Sequence, residues 1–215
     1  MPNAHASTSQ RQRMSADQRR GAIVEAAIKQ FAKNGFRGTT TRQLAQAAGV
    51  SEPVLYMHFE TKRDLYSAII GHLAQAVESR EPAAVLDELA EAGDEALFLR
   101  LAGMMLDWYT EDPSRIRVLL FSSLEGHELS DLFYEHHIAP FYQALAAYIG
   151  RRIKAGAFRK EDPMIAARAF CGMAGQYGEA LSVFGRQETK RARKNTIETI
   201  VRIFLNGMRK QEAAR

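Results

Sequence analysis

The sequence predicts an all-α protein, with a three-helix unit at the N-terminus and a larger helical unit behind it. Three observations lead there. Apolar residues recur at three- and four-residue steps in run after run. A glycine or proline separates most of those runs, as at Gly35, Gly49, Pro82, Pro113, Gly156 and Pro163. Residues 40–59, TTRQLAQAAGVSEPVLYMHF, compress two short helices and a tight turn into one stretch.

Residues 1–14 are rich in Ser, Gln and Arg and too poor in apolar residues to fold alone, so a disordered basic tail is expected there. Residues 15–34 then carry Ile23, Val24, Ala27, Ile28 and Phe31 on one helical face, and Asn34-Gly35 ends the run. Thr40 is placed to cap the next helix, with Gln43 at the capping-box spacing and Leu44, Ala45 and Ala48 facing inward. Gly49 supplies the left-handed backbone of the turn, and Val50 plugs the corner. Ser51, Glu52 and Pro53 are a cap, an early acid and a first-turn proline, after which Val54, Leu55 and Phe59 pack inward.

The second short helix leaves Glu52, Pro53, Tyr56, Met57 and His58 on its free side, the layout of a recognition helix in a helix-turn-helix. The same spacing also suits an αα-hairpin inside a helical core. Charge separates the two readings. Residues 1–63 hold 10 Lys+Arg against 4 Asp+Glu, whereas the remainder holds 19 against 21, so the basic excess lies wholly with the motif and suggests a polyanion partner. Arg37, Arg42, Lys62 and Arg63 flank it. Lys62 opens a helix, where a cation is unfavourable on dipole grounds, and a phosphate would explain it.

Beyond Arg63 every segment continues the helical pattern. Leu65, Ile69, Leu73 and Val77 predict one long helix or a pair broken at Pro82. Residues 94–109 carry Leu97, Leu101, Met104, Met105 and Trp108 on a wide apolar face ending near Pro113. Helices follow over 114–124 and over 129 to about 155, the latter with a kink at Pro140. Pro163 opens another helix that runs to Phe184 and contains Gly172, Gly175 and Gly178, each costing about 1 kcal/mol relative to alanine. A closely approaching helix would offset that cost. The last helix, about 188–210, repeats Ile197, Ile200, Val201, Phe204, Leu205 and Met208 as a stripe that calls for a partner.

From Arg20 to Leu65 the chain resembles the DNA-binding domain of the TetR family of bacterial repressors. The resemblance rests on Phe31, Gly35, Thr40, Ala45, Ala48-Gly49-Val50-Ser51, Leu55-Tyr56, His58-Phe59 and Lys62, all in order. It implies a helix-turn-helix DNA-binding domain over 15–62 and a helical ligand-binding and dimerisation domain over 63–215. Thr41, Arg42 and Ser51 would then lie at the DNA, Tyr56, His58 and Lys62 would grip the backbone, and Glu52, Pro53, Val54 and Met57 would face the major groove. Two copies would meet as a homodimer through the last two helices, at Phe170, Gly175, Leu181, Ile197, Ile200, Val201, Phe204, Leu205 and Met208. Such a dimer would set two motifs about 34–36 Å apart on a palindromic double-stranded DNA operator.

The resemblance implies a one-component transcriptional regulator, most simply a repressor released by a small, mainly apolar effector of unknown identity. A transcriptional activator of the same fold and a non-specific architectural DNA-binding protein are the alternatives. Met104, Met105, Trp108, Tyr109, Phe121, Phe141, Tyr142, Gln176 and Tyr177 are candidates to line the effector pocket, although each suits ordinary core packing as well. Tilting of the helix that begins at Lys62 is the expected link between pocket and DNA.

Other chemistry finds little support. No phosphate-binding glycine loop, nucleophile elbow or HExxH pattern occurs, so no catalytic residue, cofactor or enzyme activity is expected. Glu135, His136, His137 and nearby His127 invite a metal reading, but adjacent helical histidines diverge by about 100°, and no metal is expected. The single cysteine, Cys171, lies in an apolar run and reads as buried and inert. Without a signal-type h-region or a run of about 18 apolar residues, no membrane partner and a cytoplasmic location are expected.

Overall fold

The computed structural model describes residues 14–75, 82–126 and 128–209, and among these every named element is a helix. The expected tail up to Arg13, and Val77 and His127, lie outside the described residues. Helices α1 (Ala16–Asn34), α2 (Thr41–Ala47), α3 (Glu52–His58) and α4 (Lys62–Gln75) form the N-terminal unit. Then come α5 (Pro82–Ala90), α6 (Asp94–Glu111), α7 (Pro113–Leu124), α8 (Glu128–Phe133), a π-helical turn (Tyr134–Ile138), α9 (Ala139–Lys154), α10 (Pro163–Val183) and α11 (Lys190–Met208).

Local chemistry sets most boundaries. Ser15 with Gln18, and Thr40 with Gln43, each close a full capping box, so two orphan N–H groups at each helix start are satisfied. Gly49 has φ +65°, the left-handed value the turn between α2 and α3 requires. Ser51 occupies the N-cap of α3 with extended backbone, but its side chain makes no capping bond; Glu52 and Pro53 start that helix without it.

Two cores result. Phe98 on α6 centres one of them, packing edge-on to Phe170 at 4.8 Å, with Phe204 also at 4.8 Å. The other joins Ile23, Phe31, Leu44, Leu55 and Phe59 of α1–α3 to Leu65, Tyr66 and Ile69 of α4, and also takes in Val118 of α7 and Phe133 of α8. The N-terminal unit is therefore not closed at Lys62. Its core continues through α4 and is capped by helices of the following unit.

The kink expected at Pro140 takes a different form. Proline cannot donate an i→i−4 bond, and its ring crowds the preceding turn. The chain absorbs this as the π turn just before it, closed by the Ala139 N–H donating to the Tyr134 carbonyl. The helical run thus stays continuous from Glu128 to Lys154, with one widened turn that displaces Tyr134 and His137 around the axis.

Candidate functional site

The exposed face of the helix-turn-helix is built from α2 and α3. Leu44, Ala45, Leu55 and Phe59 are buried, which leaves Arg42, Ser51, Pro53, Tyr56 and Met57 facing solvent, Met57 at 82% exposure. Tyr56, next to it in the helix, is 46% exposed. The Thr41 hydroxyl donates to the Glu52 carboxylate at 3.1 Å and ties the start of α2 to the start of α3. Val54 and His58 are half-buried. From α1, the Arg20 guanidinium donates to the His58 carbonyl at 2.7 Å and lies 4.1 Å from the centre of the Phe59 ring, fixing the C-terminal end of α3.

Lys62 departs from expectation. Its ammonium donates to the Phe36 carbonyl and sits 4.1 Å from the centre of the Phe36 ring, so it is turned into the protein. Burial lowers its pKa, and the negative charge of Glu125 opposes that shift. The cation at the start of α4 is thus explained by a carbonyl, an aromatic face and a nearby carboxylate, and no phosphate is needed. Arg37 is engaged too, its guanidinium donating to the Glu125 carbonyl at 3.3 Å.

Behind this face lies a cavity of about 640 Å³, walled by α6, α7, α8, the π turn, α9 and α10. Met104, Met105, Trp108 and Tyr109 of α6 and Phe141 and Tyr142 of α9 line it, as the sequence suggested. Three expected lining residues do not. Phe121 turns toward Gly35, Gln176 is exposed, and Tyr177 bonds Glu188 at 3.0 Å and Thr196 at 3.4 Å. Leu119 and Leu120 of α7, Tyr134, His137 and Ile138 of the π turn, and Cys171 add to the wall, and Asp107, Glu111, Arg115 and Asp131 are its charged members. Pro140 was the available signal for the π-turn residues, since a proline inside a helical run displaces the turn before it.

Burial pushes the Tyr109 hydroxyl up to about 12, assisted by Glu179, and raises that of Tyr142. His137 is lowered by burial and by neighbouring His136. Cys171 is buried, and burial pushes its thiol up to about 12, so it stays protonated. These lining groups are therefore neutral near pH 7. Among the described residues no cluster of His, Cys, Asp and Glu is arranged to hold a metal ion.

The glycines of α10 divide by neighbour. A Cβ at Gly178 would lie 2.9 Å from Tyr109, and one at Gly175 would lie 3.3 Å from the Tyr109 hydroxyl, so α6 is the closely packed helix that offsets their cost. A Cβ at Gly172 would meet nothing within 4 Å. The apolar stripe of α11 is likewise used internally: Ile200, Val201, Phe204, Leu205 and Met208, with Phe170 and Gly175 of α10, are buried within this one chain, and Ile197 packs against the same core. Leu181 is half-buried. What α10 and α11 leave outside is a different set, in which Ile165 is 68% and Ile203 57% exposed beside Gly172 and Gly207, both open to a neighbour.

Residues 23–69 match the sequence model of the bacterial regulatory proteins of the tetR family, and residues 95–207 match that of the C-terminal domain of AefR-like transcriptional repressors. The chain belongs to the TetR family. It is a DNA-binding transcriptional regulator and not an enzyme. It is 41% identical over 58 residues to the HTH-type transcriptional activator FasR of Mycolicibacterium smegmatis, a match covering 27% of this chain and 26% of FasR. It is 28% identical over 109 residues to the HTH-type transcriptional repressor NicS of Pseudomonas putida, covering 51% of this chain and 50% of NicS. The matched segments thus span about a quarter and a half of those relatives. A solved TetR-family regulator from Mesorhizobium loti shares the fold over 92% of this chain and 100% of its own, with a TM-score of 0.67 and 21% identity. No helix among the described residues is long and apolar enough to cross a membrane.

Proposed function

We propose that this TetR-family regulator is a homodimeric repressor that binds a palindromic operator and is released by a small, mainly apolar effector. DNA reading is assigned to residues 15–62 and effector binding and dimerisation to 63–215, with α4 shared between them. The observation that carries the reading is the double use of α7. One side of that helix gives Ile116, Leu119 and Leu120 to the cavity, while its other side holds α1, where Arg117 Nε donates to the Ala32 carbonyl at 2.8 Å and the Phe36 N–H donates to Glu125 at 3.1 Å. A molecule entering the cavity presses on the helix that fixes the DNA-reading unit.

Arg42, Ser51, Pro53, Tyr56 and Met57 are the proposed exposed contacts, with Thr41, Glu52, Val54 and His58 at the edges of the same face. Lys62 is withdrawn from the phosphate contacts, since its ammonium is committed to Phe36. The dimer seam is placed on the outward faces of α10 and α11, around Ile165, Gly172, Ile203 and Gly207. Repression is favoured over activation because the match across the effector unit is to a repressor domain, whereas the match to an activator covers only 58 residues.

Selection of bound duplexes from a random pool by the purified full chain tests the DNA half of this reading. A palindromic enriched sequence, bound about 10³-fold or more above non-specific DNA, is the expected result. No enrichment would overturn it in favour of non-specific architectural binding. A reporter placed behind the enriched sequence should fall in expression when the regulator is present; a rise would assign activation.

A further inference from the structure

Resting on the proposal that the cavity takes an effector, we infer that the effector is an uncharged, ring-bearing molecule that presents hydrogen-bond acceptors to the hydroxyls of Tyr109 and Tyr142 and to the His137 imidazole. Three polar groups of the cavity wall, the Tyr109 and Tyr142 hydroxyls and the His137 ring nitrogens, are on half-buried residues and make no hydrogen bond among the described residues, and Trp108 Nε1 nearby is buried without a partner. The two hydroxyls and the imidazole line the cavity and are not engaged by the protein, so they are free to bond a ligand that enters. Three of the four are donors only or donate readily, so acceptor atoms on the ligand match them.

The charged groups of this wall are paired or exposed: Asp131 of α8 lines it from an exposed position. Arg115 is held by Glu111 at 3.6 Å, and the Arg168 guanidinium donates to the Tyr134 hydroxyl at 3.0 Å from an exposed position. Asp107 at the rim is bonded to Arg193 at 2.6 Å. An anionic ligand would find no unpaired cation among these groups and a cationic one only the solvent-exposed Asp131, so desolvating a charge inside the cavity would go largely uncompensated. Burial keeps both tyrosines protonated and His137 neutral, consistent with that geometry. The remaining surface is aromatic and thioether, supplied by Trp108, Phe141, Met104 and Met105, and such groups favour a flat ring over a branched chain.

Trp108 is the sole tryptophan and stands in the cavity wall, so its emission reports occupancy without DNA. The probes are three biphenyls of similar shape: methyl 4-phenylbenzoate, the 4-phenylbenzoate anion and 4-methylbiphenyl, titrated into the full chain at about pH 7.5. The ester is expected to bind about tenfold or more tighter than either the anion or the hydrocarbon, and Tyr109→Phe combined with Tyr142→Phe should remove most of the advantage over the hydrocarbon. An anion that binds as tightly as the ester, an ester advantage untouched by the double variant, or no binding by any of the three would overturn the inference. An ester that binds yet leaves the protein–operator complex intact would instead overturn release by effector and leave the ligand class standing.

Discussion

Glu125, at the C-terminal end of α7, accepts hydrogen bonds from the backbone N–H groups of Phe36 at 3.1 Å and Arg37 at 3.3 Å, 89 and 88 residues earlier in the chain. The turn from α1 to α2 therefore hangs on a carboxylate from the helix that lines the cavity. Gly35 makes this possible, since a Cβ there would fall 2.4 Å from Glu125 Oε1, and its φ of +70° is one that L side chains avoid.

Replacing that carboxylate separates anchoring from packing. Glu125→Gln keeps the volume but weakens two charge-assisted bonds, and a loss of about 1–3 kcal/mol in urea unfolding is expected. Operator binding should weaken while effector binding, read from Trp108, stays within about twofold, because the cavity wall itself is unchanged. Equal loss of both would mean that Glu125 merely supports the whole fold.

Lys62 gives an opposite pattern. Lys62→Met removes the ammonium, which bonds the Phe36 carbonyl and lies 4.1 Å from the centre of the Phe36 ring, while keeping an unbranched apolar side chain. Stability should fall by about 1.5–3 kcal/mol, as for loss of a hydrogen bond from a charged group. The slope of log affinity for operator against log salt should not change, whereas losing a true phosphate contact in each subunit of the dimer would reduce it by about 1.8. A slope reduced by that amount would return Lys62 to the DNA face.

His137 makes stability depend on pH. Burial and the neighbouring His136 lower its pKa from 6.5 in the folded state, so the unfolded chain takes up that proton first. Its contribution is fully present above about 6.5 and is lost as pH falls through the folded value. The melting temperature should therefore drop less between about pH 7.5 and 5.5 in His137→Gln than in the unaltered chain. Identical drops would show that His137 is as readily protonated folded as unfolded.

Local devices were legible in the sequence because they are settled within a few residues. The Thr40–Gln43 capping box and the left-handed Gly49 needed only spacing and residue type. Lys62 reads from the sequence as a misplaced cation, but its partner is a carbonyl 26 residues earlier, which no local pattern records. The stripe on α11 likewise shows in the sequence only that it needs a partner. Periodicity measures apolar demand and not who meets it, and here α6 and α10 of the same chain meet it. The cavity wall was half visible for the same reason: Met and aromatic residues mark burial, whereas a cavity exists where neighbouring helices fail to close, and here one boundary is a π turn set by Pro140.

Glycines on α10 offer a test of the dimer seam that the monomer fold cannot mimic. Gly178→Ala would force a Cβ to 2.9 Å from the Tyr109 ring, and the ring would have to move, at a cost of about 1–3 kcal/mol and with a change in the emission of Trp108, which meets Tyr109 edge-on at 5.1 Å. Gly172→Leu meets nothing in its own chain, and helix propensity alone would favour it by roughly 0.5–1 kcal/mol. If the exposed faces bearing Ile165 and Ile203 pack against a second copy, that leucine enters a close helix–helix contact and shifts the protein toward monomer in analytical ultracentrifugation, with the helical content retained. Operator affinity should drop with it, since one recognition helix cannot span two half-sites. A Gly172→Leu protein that stays dimeric would place the seam elsewhere on the surface.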